Sequence, residues 1–289
     1  MISNYAQTNK QTNKQTNKQT NSSVAVVTTT IGRETLEKTI ISIQQQTYPC
    51  KHYVFVDGKQ HWEKVKHLEQ KYPNVVFTFL PMNTGGENNI GNGAIHAILP
   101  YILKEDIFCF LDDDNWHDPN HVEYLVKMIN TYDLDYAYSL RKLYDENYNF
   151  LDDDNFNSLG FWRVSITVPF ENDKFKGMVS NNNDLLIDTN SYAITRNIAF
   201  ELSKEWYSGI ANDRAVFKKL LSINAKGGFT AKRTTHYKLI PVVDNTIFSK
   251  TDGYKHIIAF AEEANAYKES WSEPTILIDN ELIRVDIKF

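Results

Sequence analysis

Short apolar runs alternate with amphipathic segments over the first half of the chain. The runs are rich in β-branched residues and tend to end in polar ones, a pattern typical of buried parallel strands. The segments between them repeat apolar residues at helical spacing. The pattern predicts strands at 24–29, 51–58, 75–80 and 107–115 and helices at 34–46, 61–71, 94–103 and 119–130. This alternation indicates an α/β fold, with a mostly parallel sheet flanked by helices and ligands bound beyond the carboxyl ends of the strands.

The second half of the chain is less regular. Segment 184–196, DLLIDTNSYAITR, predicts a strand with Asp188 at its centre, and 206–221 predicts a helix with an acidic start. Residues 254–268 predict an amphipathic helix, and the C-terminal segment TILIDNELIRVDIKF alternates like a strand. We therefore expect a tail at 1–23, a first half at 24–134, a smaller second half at 135–250 and a helix-and-strand extension at 251–289.

Composition and charge narrow the class of protein. Hydrophobic residues make up 42% of the chain and charged residues 23%, as in ordinary globular proteins. The net charge of −5 argues against a general nucleic-acid-binding protein, which needs a basic face. Two cysteines are too few for a disulfide framework, and no apolar run reaches the roughly 18 residues of a membrane span. We expect a cytoplasmic protein with at most peripheral contact at the inner face of a bacterial inner membrane.

The N-terminus carries the repeat QTNKQTNKQTNKQTN from Gln7 to Asn21. It is polar, has no apolar anchor and predicts a disordered tail. Its strict order has an explanation in the gene, because repeated CAAA is translated as Gln, Thr, Asn and Lys. We expect a slippage-prone DNA repeat that switches expression on and off. Such repeats resemble those at the start of phase-variable genes for surface carbohydrates in host-adapted bacteria.

The sequence LDDDN occurs twice, at 111–115 and at 151–155. The first copy follows a predicted buried strand, so its aspartates lie where ligands bind in this fold class. The second copy follows YDENYNF, which predicts a polar hairpin turn, so Asp152–Asp154 are expected in a solvated loop. Carboxylates at a strand end suit Mg²⁺ or Mn²⁺, which take oxygen ligands and leave positions for phosphate oxygens. The first copy is therefore the candidate metal site.

Four segments carry a resemblance to a known family: VAVVTTTIGRETLEKTIISIQQQTYP, VFVDG, the glycine-rich loop NTGGENNIGNG and FCFLDDDN. In this order they resemble the family 2 glycosyltransferases of the GT-A fold. The resemblance implies a nucleotide-sugar-binding half at 24–134, an acceptor-binding and catalytic half at 135–250, and Mn²⁺ or Mg²⁺ as the cofactor. The chain departs from the family in two places. It has only Asp57 where two acids are common, and its glycine-rich loop lacks the frequent Ala-Arg-Asn run.

The resemblance also implies roles for single residues. Thr28 and Thr29 would line the nucleotide pocket, and Asp57 would contact the base. Asp112 and Asp114 would serve the ribose and the metal. The full set of implied donor-binding residues is Thr28, Thr29, Asp57, Gly85, Gly86, Asn92, Asp112 and Asp113.

The second half is expected to supply the catalytic base. An inverting transfer needs a carboxylate that takes the proton of the acceptor hydroxyl. Segment 206–221, WYSGIANDRAVFKKLL, resembles the family's acidic motif at the head of a helix and places Asp213 in that role. Asp188 is the second candidate. His236 lies where some family members have a histidine near the diphosphate or the metal, and a purely structural role explains it as well.

Three functions are compatible with these features. The first is a metal-dependent inverting glycosyltransferase that moves a hexose or N-acetylhexosamine from a nucleotide sugar, expected to be a UDP sugar, to a surface glycan such as lipopolysaccharide. The second is a sugar-phosphate nucleotidyltransferase, whose early glycine-rich loop would need a basic residue, and only Gly32-Arg33 meets that description. The third is a non-catalytic glycan-binding protein on the same fold. The motifs favour the first.

Overall fold

The computed structural model of the protein describes residues 21–85, 92–182, 185–209, 211–240, 243 and 246–289. The N-terminal repeat and its predicted disorder lie almost entirely outside these ranges. In the described part of the first half, strands and helices alternate as the sequence predicts. Their bounds are β1 Val24–Thr30, α1 Leu36–Gln44, β2 Lys51–Asp57, α2 Trp62–Lys71, β3 Val76–Leu80, α3 Gly93–Ile102, β4 Ile107–Phe110, β5 Trp116–His117 and α4 His121–Tyr132.

The second half mixes strands and short helices. Their bounds are β6 Tyr136–Tyr144, β7 Phe150–Asp153, β8 Ser165–Glu171, β9 Lys176–Asn182, β10 Tyr192–Thr195, α5 Arg196–Glu201, α6 Ser203–Trp206, α7 Asn212–Ser222, β11 Gly227–Lys238, α8 Lys250–Ala264, β12 Thr275–Ile278 and β13 Glu281–Arg284. The hairpin predicted around 144–150 is present, since β7 pairs antiparallel with β6.

Two predicted boundaries in the second half are wrong. The strand predicted at 184–196 is confined to β10, because Asp188 accepts a hydrogen bond from Asn190 N and starts a 3₁₀ turn at Thr189–Ser191. The helix predicted at 254–268 begins earlier, since Ser249 and Asp252 form a capping box that fixes the start of α8. It changes to a 3₁₀ helix after Ala264. In both places, local side-chain hydrogen bonds decide the boundary.

One sheet runs through both halves of the chain, with the strand order β13-β12-β11-β6-β10-β4-β1-β2-β3. Strand β1 pairs in parallel with β2 and β4, and β2 pairs in parallel with β3. Strand β10 lies antiparallel between β4 and β6. The parallel pairing brings the carboxyl ends of β1, β2 and β4 to the same edge of the sheet.

The side chains of β1 alternate between the two faces of this sheet. Ala25 and Val27 belong to an apolar cluster that includes residues of α3, α7 and α8, whereas Val24 and Val26 belong to a cluster that includes residues of α4. Leu111 N donates to Val27 O at 3.0 Å, which extends the β1–β4 pairing to the start of the first LDDDN. Helices thus cover both faces, and the acidic triad begins where the pairing ends. Among the described helices, none combines the length and the apolar character needed to cross a membrane.

Candidate active site

An open cleft of ≈ 610 Å³ lies at the carboxyl ends of β1, β2 and β4. Most residues that the sequence assigned to donor and metal binding line it: Thr29, Asp57, Gly85, Asn92, Asp112, Asp113 and Asp114. The cleft also has lining residues that the sequence analysis did not assign to the site: Arg33, Arg141, Tyr237 and Lys238. Gly86 lies outside the described residues.

Asp112 is held by two amide side chains. Asn92 Nδ2 donates to its Oδ1 at 3.0 Å, and Asn190 Nδ2 donates to its Oδ2 at 2.8 Å. Asn190 also accepts, through its Oδ1, a hydrogen bond from the backbone N of Asp112 at 2.6 Å. Burial, and after it the charge of Asp188, raise the pKa of Asp112 to about 7. The first carboxylate of the triad is thus fixed in orientation and short of positive charge.

The middle aspartate of the triad is paired inside the protein. Thr30 Oγ1 donates to Asp113 Oδ2 at 2.6 Å, and Arg33 Nη1 donates to Asp113 Oδ1 at 2.6 Å. The same Arg33 atom lies 3.2 Å from Asp114 Oδ2. Burial raises the pKa of Asp114 against the opposing charge of Arg33. Asp113 thus accepts a protein donor at each carboxylate oxygen, whereas the contact of Asp114 with Arg33 is longer.

Asp57 holds the loop that follows β3 in place through hydrogen bonds from Thr84. Its Oδ1 accepts from Thr84 N at 2.8 Å, and its Oδ2 accepts from Thr84 Oγ1 at 3.1 Å. Asn83 Nδ2 donates to the backbone oxygen of Asp57 at 3.1 Å. The single acid at the end of β2 thus fixes the loop beside the cleft, and Gly85 follows directly.

The two threonines that the resemblance assigned to the nucleotide pocket lie in different surroundings. Thr29 lines the cleft, but Thr28 is fully buried and its Oγ1 lies 2.9 Å from His52 Nε2. Thr29 and Thr30 end the strand at the edge where the cleft lies, whereas Thr28 lies one residue deeper in the sheet. The expectation that Thr28 lines the nucleotide pocket is wrong.

The two candidate bases differ in how free their carboxylates are. Asp188 is buried, with Oδ2 2.7 Å from Arg141 Nη1 and Oδ1 accepting from the backbone and side-chain nitrogens of Asn190 at 2.9 and 2.8 Å. Asp213, in the first turn of α7, accepts from Arg214 N at 2.8 Å. Burial and the neighbouring charge of Asp188 raise the pKa of Asp213 to about 6. Asp188 is committed to an ion pair with Arg141, and neither aspartate is among the residues that line the cleft.

The second LDDDN is not a solvated loop, which corrects the sequence prediction. Asp152 and Asp153 lie in β7, and Asp154 is 0% exposed. Asp154 Oδ2 accepts from Arg141 Nη2 at 2.6 Å and from Arg141 Nε at 2.9 Å. The predicted polar turn before this copy is present. Asp154, however, is buried because it pairs with the buried guanidinium of Arg141.

The sequence profile of Glycosyl transferase family 2 matches residues 23–203, which is more than half of the chain. The chain belongs to glycosyl transferase family 2. The matched range contains Asp57, the triad and Asp188, whereas Asp213 lies beyond it. No curated protein sequence matches this family 2 glycosyltransferase.

Solved structures of S. aureus TarS are similar to this family 2 chain. TarS 1–349 is 14% identical, with 87% of this chain and 69% of TarS 1–349 covered and a TM-score of 0.50. A further TarS structure is 13% identical, with 86% and 42% covered and a TM-score of 0.51. TarS 1–349 has also been solved in complex with UDP and with UDP-GlcNAc. Together with the family match, this likeness confirms the predicted GT-A fold.

The carboxylates of this family 2 site have the chemistry of a divalent-cation site. Asp112 and Asp114 face the cleft, and burial raises the pKa of both, so a bound cation would favour their ionised forms. Mg²⁺ and Mn²⁺ prefer such oxygen ligands. Within the described ranges, no three His, Cys, Asp or Glu side chains are arranged to hold a metal ion. The residues therefore fit a metal only as a pair of protein ligands, with donor oxygens and water as the others.

His236 does not offer a free nitrogen to such a metal. Its Nε2 lies 2.7 Å from Asp118 Oδ1 and its Nδ1 lies 2.8 Å from the Tyr144 hydroxyl. Its ring stacks on Trp116 at 4.9 Å between centroids. The geometry supports the structural role for this histidine.

Three residues of the site were not predicted from the sequence: Arg33, Arg141 and Asn190. Arg141 had one usable signal, because it stands inside the largely apolar strand YAYSLRKLY, where a buried charge needs partners. Asn190 had a weaker one, as a polar residue inside a segment that predicts a strand, and Arg33 had none, since polar residues beside strand ends are common in loops. Their roles depend on contacts between residues far apart in the chain.

Proposed function

We propose that the protein is a metal-dependent inverting glycosyltransferase that moves a hexose or N-acetylhexosamine from a UDP sugar to a surface glycan acceptor such as lipopolysaccharide. The observation that carries this proposal is the arrangement of Asp112 and Asp114 at the mouth of β4, inside the cleft that Thr29 and Asp57 also line. Family membership supports glycosyl transfer over nucleotidyl transfer. Arg33, the basic residue that the nucleotidyltransferase alternative needs, is committed to Asp113 and Asp114.

The donor would lie along the edge formed by β1, β2 and β4. Asp57 stands at the end of β2, where an acid suits contact with a nucleotide base, and Thr29 lies across the cleft on β1. The crystal structures of TarS with UDP and UDP-GlcNAc support a uridine nucleotide as the first donor to test. Lys238 adds a cation to the lining of the cleft, which suits a diphosphate.

Asp112 and Asp114 would hold the metal. A bound Mn²⁺ or Mg²⁺ would neutralise the negative charge that develops on the leaving diphosphate. Asn92 and Asn190 keep Asp112 oriented for this task, while Arg33 keeps Asp113 out of it. The three adjacent carboxylates have different partners. Asp113 is held by Thr30 and Arg33, Asp112 by two amides, and Asp114 by a longer contact with Arg33 that a bound cation would supplement.

Asp213 would act as the general base. A carboxyl with a pKa of about 6 is mostly ionised at neutral pH and still basic enough to take a hydroxyl proton. Direct attack of that hydroxyl on the anomeric carbon gives an inverted product. Asp188 would remain in its ion pair with Arg141 during the reaction.

The proposed acceptor class rests on the N-terminal repeat, which lies outside the described residues. A repeat that switches expression is useful for enzymes whose products are exposed at the cell surface, and this supports a surface glycan. Sequencing the codons of Gln7–Asn21 tests the idea. Uniform CAAA units support it, and mixed synonymous codons contradict it.

The experiment that tests the donor and metal assignments is calorimetric titration of UDP into the protein with and without Mn²⁺. We expect metal-dependent binding by the wild type and its loss in Asp114→Ala. Asp153→Ala is the matched control, since this aspartate of the second LDDDN is 42% exposed and pairs with Arg233. Equal binding by Asp114→Ala and the wild type would remove the metal role of the triad. No binding by any variant would refute UDP as the nucleotide.

A further inference from the structure

A buried chain of side chains connects the two LDDDN copies. Asp154 of the second copy binds Arg141, Arg141 binds Asp188, and Asp188 binds Asn190, which in turn holds Asp112 of the first copy. Building on the proposed function, we propose that Arg141 and Asp154 are positioning residues that fix the metal-binding carboxylate of Asp112 through Asp188 and Asn190.

The first link is fully enclosed. The side chain of Arg141 is 4% exposed and that of Asp154 is 0% exposed. Two nitrogens of the guanidinium, Nε and Nη2, donate to one oxygen of Asp154, and its face stacks on Tyr237 at 4.2 Å from the ring centroid. Asp154 Oδ1 accepts from the backbone nitrogens of Asn157 and Phe156 at 2.8 and 3.3 Å. A guanidinium held on one edge and on one face cannot rotate without breaking buried hydrogen bonds.

The second link is the ion pair between Arg141 and Asp188, which fixes the carboxylate of Asp188. Arg141 Nη1 binds Asp188 Oδ2, which leaves Oδ1 directed at Asn190. Ser158 Oγ accepts from Asp188 N at 2.8 Å, so the backbone at Asp188 is also fixed. Arg141 supplies the positive charge between two buried carboxylates, and a buried carboxylate that loses its cation is strongly unfavourable.

The third link determines the orientation of Asp112. The side-chain nitrogen of Asn190 donates to both Asp188 Oδ1 and Asp112 Oδ2 at 2.8 Å, and its oxygen accepts from Asp112 N. One amide therefore holds the backbone and the carboxylate of Asp112 together. The amide plane of Asn190 is set by Asp188, so a shift of Arg141 would be transmitted to the carboxylate.

The remaining aspartates of the second copy do not share this role. Asp153 pairs with Arg233 at 3.1 Å and is 42% exposed, and Asp152 is half-buried at the β6–β7 pairing. Asp153→Asn is therefore a matched control for Asp154→Asn. It removes the same charge, one residue away, from the same strand end.

The test measures Mn²⁺ affinity in the absence of nucleotide, by electron paramagnetic resonance of the free ion. Wild type, Asp154→Asn, Arg141→Lys, Asn190→Ser, the double variant Asp154→Asn/Asn190→Ser and the control are compared at a temperature where circular dichroism shows each to be folded. Loss of a group that orients a metal ligand typically weakens metal binding about 10–100-fold. We expect that loss in Asp154→Asn and Arg141→Lys, and less than about twofold change in the control.

The double variant separates positioning from general damage to the fold. If Asp154 acts through Asn190, Asn190→Ser and the double variant bind Mn²⁺ with the same affinity, because the effects of coupled residues do not add. Additive losses, or an Asp154→Asn protein that folds and binds Mn²⁺ as the wild type does, overturn the inference. Arg141→Lys keeps the charge and decides the matter if Asp154→Asn does not fold.

Failure of the proposed function gives a different result. A wild type that binds Mn²⁺ but not UDP removes the donor assignment, while the variants still decide the positioning role. A wild type that binds no Mn²⁺ overturns both the metal dependence and the inference.

Discussion

The Nη1 atom of Arg33 lies 2.6 Å from Oδ1 of Asp113. The aspartate is 2% exposed, whereas the arginine side chain is 47% exposed. A cation from the loop after β1 therefore reaches into the middle of the triad that leaves β4 and pairs with its most buried carboxylate.

Removing this cation is expected to destabilise the fold. In Arg33→Gln, Asp113 keeps the hydrogen bond from Thr30 but loses its charged partner, which should lower the free energy of unfolding by about 1–3 kcal/mol. Urea denaturation at pH 7 measures the change. Lys71→Gln is the control, because its pair with Glu37 is at the surface and little change is expected. Unchanged stability of Arg33→Gln would show that solvent replaces the arginine.

The reaction rate is expected to depend on the ionisation of Asp213. Its pKa of about 6 predicts that kcat falls as the pH drops through 6, because the protonated carboxyl cannot accept the acceptor's proton. Asp213→Asn should lower kcat by about 10²–10⁴-fold with little change in the KM for the donor. Initial rates between pH 5 and pH 8, with Lys218→Gln on the same helix as control, measure both effects. A variant that stays active while Asp188→Asn is inactive would transfer the role to Asp188.

His52 is expected to make the fold sensitive to acid. It is buried against Thr28, its Nδ1 has no hydrogen-bond partner among the described residues, and burial lowers its pKa to about 3. The unfolded chain takes up the proton near pH 6.5 but the folded chain does not, so this contribution to stability is present above pH 6.5 and is lost as the pH falls towards 3.

The measurement compares His52→Gln with the wild type, because the raised pKa values of Asp112 and Asp213 act in the opposite direction over the same range. Between pH 7 and pH 5, the wild type should lose about 2 kcal/mol relative to the variant. His67→Gln, at an exposed position, should follow the wild type. Parallel stability profiles of His52→Gln and the wild type would mean that His52 is protonated in the folded protein.

Gly93 is expected to accept no side chain. A Cβ there would overlap the backbone oxygen of Trp206 and approach Asn212 Nδ2 to 2.9 Å, at the contact between the start of α3 and the α6–α7 junction. Gly93→Ala should cost about 1–3 kcal/mol, since backbone has to move. It should also lower kcat, because Asn212 precedes the proposed base. Thermal unfolding and steady-state rates measure the two effects, and normal values for both would show that α7 adjusts freely.

The periodicity of the first half was enough to predict its strands, helices and the edge where the cleft forms. Strands such as VAVVTT and KHYVFVDG contain uninterrupted apolar runs, so burial on both faces follows from sequence alone. The same property gives no sign of where the buried part of a strand ends, and Thr28 was assigned to the pocket although it lies inside the sheet. A helix-and-strand pattern locates a site more reliably than it decides which residues at a strand end line it.

The second half shows what local pattern cannot supply. Asp154 was expected in solvent because its neighbours are polar, and its buried partner Arg141 lies thirteen residues earlier in another strand. The candidate base Asp213 was found only through resemblance, and its pKa is raised by burial and by Asp188, which is distant in sequence. Contacts of this kind arise from the sheet order and are absent from any short window of sequence.

The place of β10, antiparallel between β4 and β6, has a consequence for how this protein can change over generations. A break in the chain after residue 134 would remove β10 from beside β4. One edge of β4 would then be unpaired next to the triad. Neither half could therefore be replaced on its own by the matching half of a relative without breaking the sheet. Change is easier in the loops that follow the strands, while the sheet is inherited whole.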